Sequence, residues 1–184
     1  MSNYFLNAKP NVIFFWTFGL NILVFLLLSI FFFSFPIFLG IAVFISLLSI
    51  WHFFLWIWTI GNFLYRKSES NNIVELRYFQ LSIIAISAYF VYIIAFFTLP
   101  NFQDALNESN IDLGTFLTLI QLISSVALLY EFYFVAKCLN AAEMEMGEEY
   151  LVLTDYIKDF FLIAFFIIGV WSIQNRINIL ASKN

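Results

Sequence analysis

Four long apolar stretches constrain the fold of this chain more than any other feature. They cover residues 12–33, 37–64, 76–99 and 115–137. Each is at least as long as the roughly 20 residues that a helix needs to cross a bilayer. Because 63% of the residues are hydrophobic and only 11% are charged, the chain cannot build a water-soluble surface. The sequence predicts a single all-α integral membrane domain with a four-transmembrane-helix bundle.

Proline and capping residues mark the ends of these stretches. Pro36 lacks an N–H and disfavours helix at the residue before it, so the first two stretches should form a tight antiparallel hairpin. Asn72 and Glu75 have the spacing of a capping-box variant, which starts the third helix, and Pro100 ends it. The first stretch is too long for a signal-peptide core and no small-residue cleavage site follows it, so we expect an uncleaved anchor.

A shorter hydrophobic segment, residues 160–174, follows the four spans. As a helix it reaches about 21 Å, against a hydrocarbon core of roughly 30 Å. It is therefore a re-entrant segment, an interfacial segment or a fifth span. Lys and Arg in short loops stay cytoplasmic. A fifth span would place Arg176 and Lys183 outside, which favours a re-entrant or interfacial segment.

The same rule predicts the location and orientation of the protein. With four spans and a cytoplasmic N-terminus, all basic residues lie on the cytoplasmic side of the bacterial inner membrane, and the C-terminus is cytoplasmic as well. These residues are Lys9, Arg66, Lys67, Arg77, Lys137, Lys158, Arg176 and Lys183.

An acidic linker, residues 140–159, joins the fourth span to the short segment. Its acids are Glu143, Glu145, Glu148, Glu149, Asp155 and Asp159. We interpret it as one cytoplasmic amphipathic helix, or two helices broken at Gly147, with a solvated acidic face. Carboxylates are also the ligands that Ca²⁺ and Mg²⁺ prefer, but the solvated face is the favoured interpretation.

Several functional classes lack the residues that they need. A single cysteine, Cys138, excludes an internal disulfide, and a single histidine, His52, excludes haem, zinc or di-iron sites built from several histidines. The net charge of −4 argues against nucleic acid as a partner. Nucleophile-elbow, C-x-x-C and phosphate-loop motifs do not occur. The sequence thus predicts no catalytic activity, metal or other cofactor.

Polar residues inside the spans are the candidate functional residues. Placing an ionisable side chain inside the bilayer costs about 2.5–3.5 kcal/mol or more of insertion free energy, so Glu131 needs a partner. Thr118, Gln121, Ser124, Ser125 and Glu131 fall in one sector of the fourth helix. Arg77 and Gln80 belong to a matching stripe on the third helix, and His52 reaches the same depth. We predict a polar cluster of Glu131, Arg77, Gln80 and His52, which either aligns helices or relays protons or ions.

The C-terminal third resembles a family of small bacterial multi-span membrane proteins without an assigned activity. The resemblance rests on "YFVAKCLNAAE", "TDYIKDFFLIAFF" and "IGVWSIQNRIN", with "WIWTIG" upstream. In that family a Y-F-[VA]-A-K-x-L stretch precedes an acidic linker and a G-[IV]-W-x-[IL]-Q-x-[RK]-[IL]-N ending. The matching positions are Lys137, Glu143, Asp155, Asp159, Gly169, Trp171, Gln174, Arg176 and Asn178. Ile167 and Asn175 stand where the family has proline.

The resemblance implies a membrane location and draws attention to the C-terminal segment. Arg176 could dock there against Asp155 or Asp159 if the segment re-enters. The sequence as a whole predicts a non-enzymatic accessory or interaction subunit of a membrane system, surrounded by lipid and bound to a membrane-protein partner or a second copy. The alternatives are a small oligomeric channel or proton- or ion-coupled transporter, and a membrane effector of a stress or phage-defence system.

Overall fold

The computed structural model describes residues 2–31, 36–68, 75–98, 113–144 and 153–182, and these residues contain helices and no strand. The helices are α1 Ser2–Asn7, α2 Pro10–Phe14, α3 Leu20–Phe31, α4 Pro36–Lys67, α5 Leu76–Thr98, α6 Leu113–Met144, α7 Leu153–Ala164 and α8 Phe166–Ser182. A π-helical turn, Phe15–Gly19, joins α2 to α3.

Four helical stretches are long and apolar enough to cross a membrane. They are Pro10–Leu27, Gly40–Lys67, Leu76–Ile93 and Thr115–Met144. At most a third of each stretch is buried inside the protein, so most of the apolar side chains face outward. An all-helical, multi-pass architecture is confirmed at the level of helix length and composition.

The chain divides into two compact units. The first unit comprises Met1–Asn71 and Val135–Asn184, and the second comprises Asn72–Phe134. Helix α6 runs through both. Within the second unit, α5 packs on α6 through the rings of Phe79 and Phe134, which stack with their centroids 4.3 Å apart. Both rings are fully buried.

Helix α6 continues beyond the predicted end of the fourth span. Residues 140–144, predicted as part of the acidic linker, form its last turn. Ala141, Ala142, Glu143 and Met144 all have high helix propensity, so nothing in this stretch ends the helix. Asp159, at the other end of the predicted linker, lies inside α7. Glu145, Glu148 and Glu149 are outside the described residues.

The predicted short segment, residues 160–174, begins in α7 and ends in α8, and these two helices form a hairpin. Phe165 is the turn residue, and the amides of Ile168 and Gly169 donate to its carbonyl at 2.9 and 3.0 Å. The hairpin is closed because α8 crosses α7 at Gly169. A Cβ at that position would lie 1.8 Å from the carbonyl oxygen of Leu162. With 12 and 17 residues, neither helix is among the candidate spans.

Aromatic side chains hold the hairpin turn in the core of the first unit. Phe166, directly after the turn, is buried and packs edge-on against Phe53 and Trp56 of α4, with ring centroids 5.2 and 5.0 Å apart. Phe18 of the π-helical turn stacks on its other side at 5.6 Å. The turn between α7 and α8 is thus anchored on the first two candidate spans.

Candidate functional site

Arg176 of α8 lies between two carboxylates on different helices. Its Nε and one Nη donate to both oxygens of Glu143 on α6, at 2.6 and 2.5 Å. The two Nη atoms also donate to the two oxygens of Asp159 on α7, one of them at 2.7 Å. Asn140 adds an amide donor to Asp159 at 2.8 Å. We call Arg176, Glu143, Asp159 and Asn140 the Arg176 cluster.

The Arg176 cluster is largely buried. The side chains of Glu143 and Asp159 are 9% and 2% exposed, and that of Arg176 is 26% exposed. Burial alone would disfavour the charged guanidinium, but its bonds to Glu143 and then Asp159 outweigh this effect. The pKa of Arg176 is therefore raised above its ordinary value. Its charge is present at every pH at which a free arginine is charged.

All four carboxylate oxygens of the Arg176 cluster accept at least one hydrogen bond. Each of these oxygens is bound by Arg176, and Asn140 adds a second donor to Oδ2 of Asp159. Two-sided binding of one planar guanidinium fixes the relative position of three helices. The geometry makes the Arg176 cluster a clamp that joins α6, α7 and α8.

The sequence indicated part of this cluster. The prediction was that Arg176 contacts Asp155 or Asp159, and in the structure Arg176 forms an ion pair with Asp159. Glu143, predicted as part of a solvated linker, is the second partner. The extension of α6 to Met144 explains this difference, because it carries Glu143 into the first unit. Asp155, the other predicted contact, lies in the first turn of α7, and its side chain is outside the described part of the chain.

Gln174 connects α8 to α4 and α1. It is fully buried, and its Oε1 accepts from the indole N–H of Trp56 at 2.7 Å. Its Nε2 donates to the carbonyl of Phe5 at 2.7 Å and to Oδ1 of Asn178 at 2.8 Å. Asn178 in turn donates to the carbonyl of Ala8 at 3.2 Å. Every polar hydrogen of the Gln174 amide has a partner, so its orientation is determined.

Trp171 makes a third attachment of α8. Its indole N–H donates to Oδ1 of Asn11 at 2.6 Å, and its ring lies 4.8 Å from that of Phe14. These contacts reach α2, at the start of the first candidate span. The amino-terminal segment and α8 are therefore held together by hydrogen bonds between residues about 160 positions apart.

His52 belongs to the first unit and contacts the π-helical turn. Its Nδ1 is 3.1 Å from Oγ1 of Thr17, and its ring packs 5.1 Å from that of Phe5. Asn21 donates to the carbonyl of Thr17 at 3.0 Å. π-Helical turns often occur at functional sites because they displace the backbone locally. The polar residues Thr17 and Asn21, spaced at i and i+4 in an apolar span, were the sequence signal for this contact.

Glu131 belongs to the second unit and has no ion pair. It is fully buried, and neither carboxylate oxygen has a hydrogen-bond partner in the described part of the chain. Ser82 of α5 is within reach of the carboxylate. Its hydroxyl nevertheless donates to the carbonyl of Phe79 at 2.8 Å.

The structure does not bring Arg77 to Glu131. Arg77 is exposed at the start of α5, and Gln80 is half buried on the same helix. The separation follows from the wheel positions, because Arg77 points away from the face on which Phe79 and Ser82 approach α6. The four predicted residues are thus divided between an exposed arginine, a half-buried glutamine, a buried glutamate and a histidine in the first unit.

The described residues contain no group of three or more His, Cys, Asp and Glu side chains placed to hold a metal ion. Cys138 is buried in α6 as a free thiol. No protein-family model matches the chain, and neither a curated protein nor a solved structure is significantly similar to it.

Proposed function

We propose that the protein is a non-enzymatic accessory subunit of a larger assembly in the bacterial inner membrane. The proposal rests on the outer face of α6. Thr118, Gln121 and Ser125 are exposed there, in the first half of a candidate span. They lie within about 60° of one another on the helix. Ser124 and Glu131, predicted on the same polar face, are buried instead.

Gln121 is the residue of this face that requires a partner. Ser125 satisfies its own hydroxyl by donating to the carbonyl of Gln121 at 2.8 Å. The side-chain amide of Gln121 makes no hydrogen bond with the described residues. An amide facing hydrocarbon loses its bonds to water, whereas an amide facing another transmembrane helix can replace them. We therefore expect Leu122, Val126 and Leu129 on this surface to face lipid, and Gln121 to face a protein partner.

The proposed orientation follows from the distribution of basic residues. Both termini lie in the cytoplasm, and the α7–α8 hairpin returns to the side from which it starts. In this orientation no basic residue is outside the cell. The Arg176 cluster uses Glu143 and Asp159 internally, which removes both from any acidic docking surface.

Native mass spectrometry of protein extracted in a mild detergent tests the proposal. We expect the wild-type protein to leave the membrane with a second protein chain attached. Gln121→Leu should release that chain, because leucine cannot replace the hydrogen bonds of the amide. The control is Leu119→Ala, an exposed apolar position on the same helix, which should keep the partner. A monodisperse wild-type monomer without a partner would contradict the proposal.

The two alternative functions remain predictions. A channel or transporter would give flux in liposomes containing only this protein. An effector of a stress or phage-defence system would be toxic when overproduced.

A further inference from the structure

Among the described residues, the carboxyl group of Glu131 lacks the partners that the other buried acids, Glu143 and Asp159, have. Glu143, on the same helix, gives both oxygens to Arg176. Glu131 is at least as buried, yet both of its oxygens lack a partner in the described chain. The two residues therefore differ in their electrostatic environment, although residue type and helix are the same.

The charged and titratable groups around Glu131 do not neutralise it. On α5, the helix packed against this part of α6, they are Glu75, Arg77, Tyr78, Tyr89 and Tyr92. On α6 itself they are Tyr130, Tyr133, Lys137 and Cys138. Among the described residues, no ion pair joins a cationic side chain to Glu131. An ionised carboxylate without a counter-charge in an apolar site is strongly disfavoured, so the neutral acid is the stable form.

Ser82 is placed to respond to the charge on Glu131. Its hydroxyl is buried within reach of the carboxylate, but donates to the carbonyl of Phe79. A hydroxyl hydrogen rotates freely about the C–O bond, so the same group can donate to either acceptor. The carbonyl is the better acceptor while Glu131 is neutral. A carboxylate, being charged, is the better acceptor once the proton has left.

We propose that Glu131 is a proton-binding site in which the Ser82 hydroxyl turns from the carbonyl of Phe79 to the carboxylate when the proton leaves. The ligand is H⁺, and the site lies between α5 and α6 in the second unit. The proposal is independent of the accessory function, because it concerns the buried edge of α6 and not its outer face.

A hydrophobic carbodiimide tests the protonated state. The acid proton moves to a carbodiimide nitrogen, and the carboxylate oxygen bonds to the central carbon. The acyl group then migrates from oxygen to nitrogen to give a stable N-acylurea; nothing is oxidised and no group leaves. We expect one adduct, mapped by peptide mass spectrometry to Glu131 of the wild-type protein. Glu143, held by Arg176, is the internal control and should stay unmodified.

Infrared spectroscopy gives a second measurement that does not depend on access of the reagent. The C=O stretching band of a protonated carboxyl should be present at neutral pH, disappear reversibly at high pH, and be absent in Glu131→Gln. The proposal would be overturned if no adduct formed at Glu131 and this band were absent at every pH.

The pH profile tests the role of Ser82. Removing a donor to the ionised form should move the midpoint of the infrared titration upward by about one pH unit in Ser82→Ala, because the carboxylate then loses a hydrogen bond to its charged form. Ser82→Thr keeps the hydroxyl and should restore the midpoint. Ser125→Ala, on the outer face, is the matched control and should not move it. An unchanged midpoint in Ser82→Ala would overturn the switch.

Discussion

Glu131 and Gly169 show how much a single position can depend on its neighbours in the folded protein. The sequence indicated that Glu131 is buried in a span, and it is buried, but the predicted partner Arg77 is exposed. Gly169 was part of the resemblance to a family and had no physical explanation. The structure provides one, because the backbone of Leu162 occupies the space of a Cβ.

Gly169→Ala should unfold the α7–α8 hairpin. The methyl group would lie 1.8, 2.4 and 2.7 Å from three backbone atoms of Leu162, which cannot rotate away as a side chain could. We expect the free energy of unfolding to fall by about 3 kcal/mol, the upper end of overpacking effects. Chemical denaturation in mixed micelles measures it.

The control for this substitution is Gly40→Ala in α4. Among the described residues, and apart from the backbone of its own helix, no atom lies within 4 Å of the position that its Cβ would occupy. Alanine has the higher helix propensity, so stability should stay the same or rise by up to about 1 kcal/mol. Equal losses in both variants would show that the close approach at Gly169 is unimportant.

At the scale of helices, α8 is the element whose environment was least predictable. The apolar character of its first half was predicted, and re-entry was one of three expectations. The predicted segment, residues 160–174, nevertheless begins in α7 and stops short of the end of α8, which is Phe166–Ser182. Its hydrogen bonds to Asn11, Trp56 and Glu143 join four different helices. Of the positions that matched the pattern noted in the sequence, Gly169, Trp171, Gln174, Arg176 and Asn178 all make contacts that hold α8 in place.

Arg176→Ala should destabilise the first unit more than any single change at its carboxylate partners. It leaves Glu143 and Asp159 buried without a counter-charge, a situation that costs about 3–5 kcal/mol. Arg176→Lys should recover only part of the loss, because an ammonium group cannot bind two carboxylates with a planar fork. Thermal unfolding in detergent measures both.

The double variant Glu143→Gln/Asp159→Asn should lose less stability than Arg176→Ala, because it leaves one cation that can reach water in place of two buried anions. Arg77→Ala is the surface control, and its effect should stay within about 0.5 kcal/mol. A large loss in Arg77→Ala would favour the predicted pairing with Glu131.

The raised pKa of Arg176 predicts how stability depends on pH. Its contribution to the free energy of unfolding is present at all pH values below the ordinary arginine pKa and is lost only as the pH rises through the raised pKa.

At the scale of the whole molecule, the position of the C-terminus separates four spans from five. Helices α7 and α8 reach about 18 and 26 Å at 1.5 Å per residue, and each is shorter than a hydrocarbon core of about 30 Å. As a closed hairpin they return the chain to the side on which α7 begins. The Arg176 cluster fits this arrangement, because it ties the second half of α8 to α7 and α6.

Single cysteines introduced in a Cys138→Ala background should show both ends of the chain on one side. We expect Asn7→Cys and Ser182→Cys to react with a membrane-impermeant maleimide only after the cells are opened. Labelling of Ser182→Cys in intact cells, with Asn7→Cys protected, would instead establish a fifth span and place Arg176 outside the cytoplasm.

The sequence by itself determined the four long apolar stretches that form the candidate spans, because span length and helix propensity are local properties of consecutive residues. The tertiary structure decided which polar groups meet. Trp56 and Gln174 are 118 positions apart, and Glu143 reaches Arg176 only because α6 continues to Met144. Such contacts depend on the direction in which each helix leaves its turn, and a packing constraint at one glycine sets that direction for α8.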